Sequence, residues 1–231
     1  MSSDLIQQEW ERAEEFIKKT GRAEPLFRVD KSNTALVVID MQNAFVAPGS
    51  TIEVPKGREI VPNINRLTRG CRKTGIPVIW VVSKFRSEAE WGLITAFEPD
   101  SPVGTERDKP MNELKWSAKG TNIWRELEVD GRRDHEVVKC RYSAFVSGSS
   151  NLERLLRILG RDHLIMTGVS TNVCVGSSAM DAMMLDFKVT FVSDATAAFT
   201  DFLQQAFLIN LKMVFADVAT TAELMKQLEE I

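Results

Sequence analysis

From residue 34 onward the chain repeats two hydrophobic patterns in turn. Short apolar runs rich in β-branched residues occur at "TALVVID", "IPVIWVVS", "HEVVKCR", "HLIMTGVS", "KVTFVSD" and "KMVFADV". Most are separated by segments with apolar positions at helical spacing: "NINRLTRGCRKTG", "SNLERLLRILG", "CVGSSAMDAMMLD" and "DFLQQAFLINL". A last helix is predicted over about residues 220–230. Strands that are apolar throughout, rather than at every second position, are covered on both faces, as in a parallel sheet built of βαβ units. Right-handed crossovers then predict a three-layer α/β/α sandwich.

Two stretches depart from this rhythm. Residues 4–19 place Leu5, Ile6, Trp10, Ala13, Phe16 and Ile17 at helical spacing, which predicts an amphipathic helix. It packs either on its own domain or, as an arm, on a neighbouring subunit. The expected division is a helical extension over residues 1–30 and one α/β domain over 31–231. Residues 84–120 carry Pro99, Pro102, Pro110, Gly92, Gly104 and Gly120, with Trp91, Phe97 and Trp116 interspersed. A connection of this length in a compact domain points to a lid, a pocket wall or an oligomer contact.

Composition narrows the class. The 231 residues are 44% hydrophobic and 26% charged, with a net charge of -3, so there is no basic footprint for nucleic acid or membrane. No apolar run approaches the ~20 residues that span a bilayer. The polar, acid-rich N-terminus does not read as a targeting signal. Cys71, Cys140 and Cys174 are an odd set without a C-x-x-C pair, which suggests free thiols and a cytoplasmic setting.

In open α/β sheets ligands bind outside the carboxyl ends of the strands, so reactive residues at those ends are the candidates. Asp40 ends the first predicted strand, Lys139 lies near the end of the third, and Cys174 follows the fourth in the turn that opens a helix. Each has an ordinary alternative. Asp40 can cap a turn, Lys139 can sit at the rim with its head in water, and Cys174 can be a small buried hydrophobe. Together a carboxylate, an ammonium and a thiol make a coherent set. A helix N-terminus and an ammonium both favour the thiolate. Asp40 can move protons, and backbone N–H groups around Ser170 and Cys174 can hold an oxyanion, the requirements of acyl transfer through a thioester. The only histidines, His135 and His163, stand at strand starts, the far end from this site, so a Cys-His arrangement is poorly supported.

The segments "VVIDMQNAF", "VVKCRYSAF" and "TGVSTNVCV", in this order and spacing, resemble the isochorismatase-like cysteine hydrolases. The resemblance covers residue 34 to about residue 224. It implies a six-stranded parallel sheet in the order 3-2-1-4-5-6 and a triad of Asp40, Lys139 and Cys174. It further implies a cis peptide at Val169–Ser170 that turns backbone N–H groups of Ser170 and Cys174 toward the oxyanion. No cofactor is implied, and the metal motif Asp-x-His of some members is replaced here by "VSKFRSE". "KCRYSAF", "STNVCV" and "QQAFLIN" are most similar to the branch acting on ureido and carbamoyl compounds, such as ureidoacrylate, biuret, triuret or N-carbamoyl amino acids. The expected partner is therefore a small ureido or carbamoyl substrate, and the family implies a homo-oligomer, dimer or tetramer. Candidate substrate contacts are Phe45, Trp91, Trp116, Tyr142 and Asn172. Cys140 adds a second thiol near the site, expected to be structural. Two other readings stay open: vinyl-ether hydrolysis of an isochorismate-like acid, with Lys84, Arg86 and Arg141 as cationic partners, and a redox-sensing relative without catalysis.

Overall fold

A computed structural model describes residues 3–86 and 113–231. Six strands form one sheet: β1 (Thr34–Ile39), β2 (Val78–Ser83), β3 (His135–Lys139), β4 (His163–Val169), β5 (Lys188–Ala197) and β6 (Asp217–Ala219). Their order is β3-β2-β1-β4-β5-β6, and every neighbouring pair is parallel. The helices are α1 (Ser3–Thr20), α2 (Asn43–Val46), α3 (Val61–Thr74), α4 (Leu152–Ile158), α5 (Gly176–Met184), α6 (Asp201–Val214) and α7 (Thr221–Glu229).

The continuous apolar runs are buried on both sides, with β1, β2 and β4 buried at every position. Because side chains alternate across a strand, Leu36 and Val38 join a core with Ile64, Leu67, Leu224 and Leu228 from α3 and α7. Ala35, Val37 and Ile39 join the opposite core, with Leu152, Leu156, Ala179, Leu208 and Leu211 from α4, α5 and α6. Those two cores are the two interfaces of the three-layer sandwich.

The first helix packs on its own chain, against α6: Ala13 and Ile17 are buried, and the Trp10 indole N–H donates to Gln205 Oε1 at 2.9 Å. The segment therefore packs on its own domain. One boundary differs from the sequence expectation. The predicted strand "KMVFADV" is helical through Val214, and β6 begins only at Asp217. An arginine far away in sequence sets this limit: Arg22 donates to the carbonyls of Lys212, Met213 and Ala216, satisfying the end of α6.

The strand order leaves a crossover point between β1 and β4, where chain direction along the sheet reverses. Gly168 sits at this seam with φ +111, and a Cβ there would lie 2.0 Å from the Ile39 carbonyl oxygen. Only glycine lets β4 come this close to β1. The residues after β1 and β4 are thereby brought side by side.

Candidate active site

Asp40 follows β1 directly, and the chain turns there through a left-handed backbone conformation, φ 54, one that Asp tolerates better than most residues. The turn takes the fully buried Asp40 carboxylate to Lys139, whose Nζ lies 2.9 Å from Asp40 Oδ2. Lys139 is the last residue of β3, paired in register with Ser83 at the end of β2. Its ammonium donates to Ser83 Oγ at 2.8 Å and to the Arg141 carbonyl at 3.0 Å. The Asp40 carboxylate and the Cys174 sulfur complete the surroundings of the ammonium. The lysine is thus a fully buried member of an ion pair rather than a rim residue. Burial by itself disfavours its charge, but the Asp40 carboxylate and the Cys174 sulfur outweigh that and raise the Lys139 pKa.

Ser83, to which no role was assigned in the sequence, stands between the two charges: it accepts from Lys139 and donates its hydroxyl to Asp40 Oδ1 at 3.0 Å. Ser83 is in turn held by Gln42. Gln42 accepts from the Ser83 N–H at 2.7 Å and donates to the carbonyls of Ser83 and Thr121 at 3.1 and 2.9 Å. Both belong to segments singled out for other reasons, "VVIDMQNAF" and "VSKFRSE". The available signal was position: a serine at the carboxyl end of β2, next to the first strand.

The Val169–Ser170 peptide is cis. A wide turn of π type, Thr171–Val175, then leads into α5. The Ser170 carbonyl accepts from the N–H groups of Val173 and Val175 at 3.1 and 3.2 Å, which fixes the turn that carries Cys174. Cys174 is 6% exposed and interacts with both Asp40 and Lys139. Its pKa is raised well above the ordinary thiol value, first by burial and then by the Asp40 carboxylate, against an opposing pull from Lys139. In the sequence reading the helix N-terminus and the ammonium favour the thiolate; the Lys139 contribution does so here, but the net shift runs the other way. Desolvation of the buried sulfur and the neighbouring Asp40 carboxylate together exceed the attraction of the Lys139 cation.

A cavity of about 190 Å³ opens on this group. Ser83, Lys139, Ser170 and Cys174 line it together with Arg141 and Tyr142, and Phe45, Ile52, Val54, Phe85, Leu114, Val173 and Phe199 form apolar walls. Asp40 meets it through Cys174 and Ser83. Phe85 and Leu114 reach the wall because the chain returns beside itself there, with Phe85 N–H donating to the Leu114 carbonyl at 2.9 Å. The Tyr142 hydroxyl keeps its proton, its pKa raised by burial and by Cys174.

Of the candidate contacts, Phe45 and Tyr142 line the cavity. Asn172 is engaged by the Ser170 hydroxyl at 3.1 Å and is not among the lining residues. Trp116 is 47% exposed, stacks with Arg86 and Lys84, and stands outside the lining too. Trp91, and most of the 84–120 connection, lie outside the described residues. Cys140 is half-buried, its thiol near the Gly148 carbonyl at 3.4 Å. Cys71 is buried in the core, its pKa pushed up to about 12 by burial. Among the described residues, no group of three or more His, Cys, Asp or Glu is placed to hold a metal ion, and no helix is long and apolar enough to cross a membrane. Both histidines are at the amino ends of their strands, His135 opening β3 and His163 opening β4.

With the site in view, comparison with known proteins decides the family. The isochorismatase domain pattern matches residues 34–223. The chain belongs to the isochorismatase family of hydrolases. It is 35% identical to the ureidoacrylate amidohydrolase RutB of Caulobacter vibrioides over 222 residues, covering 88% of this chain and 94% of that protein. It is 34% identical to a probable inactive nicotinamidase of Arabidopsis thaliana over 197 residues, covering 85% of this chain and 96% of the relative. A cysteine hydrolase from Pseudomonas syringae pv. phaseolicola 1448A superposes with a TM-score of 0.78 at 25% identity, over 88% of this chain and 96% of that one.

Proposed function

We propose that this hydrolase is a cysteine amidohydrolase that cleaves the C–N bond of a small ureido or carbamoyl compound without a metal. The observation that carries the reading is the buried Cys174 set against the buried Asp40–Lys139 ion pair at the wall of a small cavity. The similarity to RutB supports a ureido substrate, and the cavity lies below the ~300–1,000 Å³ range of drug-sized ligands, which suits a substrate of few atoms.

In this mechanism Asp40 takes the Cys174 proton as the sulfur attacks the carbamoyl carbon. The oxyanion formed is held by backbone N–H groups of Ser170 and Cys174. Asp40 returns the proton to the leaving nitrogen as the C–N bond breaks. What remains is an acyl group on sulfur, a thioester-type adduct. Water, deprotonated by Asp40, adds to that carbon and expels the sulfur, which recovers its proton. The net reaction consumes one water and releases ammonia or a carbamate. Lys139 stays charged throughout and holds the Asp40 side chain in place, with Ser83 bridging the two.

The test is ammonia release from a panel of ureidoacrylate-type acids, biuret, triuret and N-carbamoyl amino acids. Turnover of at least one, lost in Asp40→Asn, supports the reading. Turnover of an isochorismate-like vinyl ether that survives thiol alkylation would replace it by the second reaction class, which the presence of Arg141 beside the cavity favours. A cysteine inert to mild alkylation, with no turnover of the panel, would instead favour a non-catalytic relative.

A further inference from the structure

The turn that carries Cys174 is anchored from outside the triad. Thr171, its first residue, is fully buried, and its hydroxyl donates to Gln204 Oε1 at 2.5 Å. Gln204 lies in the first turn of α6, and its amide nitrogen donates to the Ser193 carbonyl, the Thr196 carbonyl and Thr196 Oγ1 at 3.2, 3.2 and 3.3 Å. Ser193 and Thr196 are near the carboxyl end of β5. One side chain thus connects the nucleophile turn to the strand beside β4 through both ends of its amide. One helical turn further along α6, Phe207 presses on the same segment: a Cβ at Gly176 would lie 2.2 Å from its ring and 2.5 Å from the Thr171 carbonyl oxygen. Residues three apart on a helix share a face, so α6 meets the Cys174 turn through a polar contact and an apolar one together. The adjacent Gln205 faces α1 through Trp10.

We propose that Gln204 is a positioning residue for the nucleophile: its amide locks the Cys174 turn to β5, fixing the sulfur relative to Asp40 and the backbone donors. This rests on Cys174 acting as nucleophile. Gln204 does not line the cavity, so loss of its grip acts through the position of the turn and lowers the rate of the chemical step. A misplacement on the order of 1 Å is enough to cost about a hundredfold in rate.

Steady-state ammonia release is measured for wild type, Gln204→Ala, Thr171→Val, Thr171→Ser and the Gln204→Ala/Thr171→Val double variant, alongside melting temperatures. Iodoacetamide alkylation of Cys174, followed by peptide mass mapping, reads the thiol's setting without any substrate. The expected result is a fall in kcat of about 10- to 100-fold for Gln204→Ala and for Thr171→Val, with KM within about threefold. Thr171→Ser, which keeps the hydroxyl, stays within about threefold of wild type, and the double variant is no worse than the weaker single, since both remove one link. Alkylation of Cys174 changes rate in Thr171→Val and Gln204→Ala, and not in Thr171→Ser. The inference is overturned if Thr171→Val keeps wild-type kcat and alkylation rate, if the two losses multiply, or if kcat falls only in step with melting temperature. Absence of ammonia release from the wild type would count against the amidohydrolase reading, while the alkylation series would still decide whether Gln204 sets the position of Cys174.

Discussion

Replacing Lys139 by methionine removes the cation from the centre of the site while nearly keeping side-chain volume. In the wild type the ammonium lies 2.9 Å from Asp40 Oδ2 and donates to Ser83 Oγ at 2.8 Å and to the Arg141 carbonyl at 3.0 Å. Both charged side chains are at most 1% exposed. Lys139→Met therefore leaves the Asp40 carboxylate buried with the Ser83 hydroxyl but no counter-charge. Breaking a buried pair from one side costs about 3–5 kcal/mol, because the surviving charge keeps its desolvation penalty. For a domain of this size each kcal/mol moves the melting temperature by about 2–4 °C, so a drop of about 6–20 °C is expected. Asp40→Asn removes the other charge and incurs a similar cost from the unpaired lysine. The double variant Asp40→Asn/Lys139→Met leaves no buried charge and recovers at least about 2 kcal/mol relative to the sum of the singles. All three variants lose turnover by more than about a hundredfold, since proton transfer at Asp40 is removed or its side chain is no longer held in place. Thermal melts combined with ammonia release measure both effects. A Lys139→Met protein with wild-type melting temperature, or a double variant destabilised by the full sum, would refute the coupling.

Three further perturbations probe the scaffold. Ser83→Ala removes the hydroxyl between the charges; a loss of about 2 kcal/mol and a kcat reduced by about 10- to 100-fold are expected, and an unchanged kcat would reduce Ser83 to packing. Gly168→Ala forces a Cβ to within 2.0 Å of the Ile39 carbonyl oxygen, so its melting temperature is expected to fall by more than about 6 °C. Gly131→Ala, where a Cβ meets nothing within 4 Å, is the control and leaves melting unchanged. His163 has its pKa lowered to about 4 by burial, against opposing pulls from Asp217 and Asp162. The unfolded chain, with an ordinary histidine pKa near ~6.5, then binds the extra proton first as pH falls, so this contribution to stability is full above that value and lost between it and about 4. By pH 5 the loss is about 2 kcal/mol, measurable as a shift in denaturant midpoint relative to pH 7.5. His163→Gln, which removes the titrating group, flattens that slope, and a slope equal to wild type would contradict the assignment.

Periodicity read the sheet and most helices well because the elements that form it bury both faces, and a both-sided core leaves an unbroken apolar run. It failed at the end of α6, where "KMVF" is equally apolar as strand or helix. The decision there comes from Arg22, about 190 residues earlier in the chain, which occupies the last helical carbonyls. The same distinction runs through the site. Asp40, Lys139 and Cys174 were legible because strand ends converge at one edge of a parallel sheet, whatever the details of packing. Ser83, Gln42 and Gln204 were not, since a serine or glutamine in a sequence carries no sign of which carbonyl or charge it will meet. The direction of the Cys174 shift was also hidden. It depends on how deeply the sulfur is buried and how near the Asp40 carboxylate comes, and those are properties of the folded arrangement alone.

The central claim is that the sulfur of Cys174 forms and then releases the acyl group of the substrate. The most direct measurement compares wild type with Cys174→Ala on the substrate found by the ammonia-release panel, together with acid-quenched intact mass and peptide mapping of the wild type during turnover. The account predicts that the alanine variant folds with near-wild-type melting temperature and releases no ammonia above background, while wild-type turnover depends on the unmodified thiol and any trapped acyl group maps to Cys174. A Cys174→Ala protein that turns the same substrate over at the wild-type rate would contradict it.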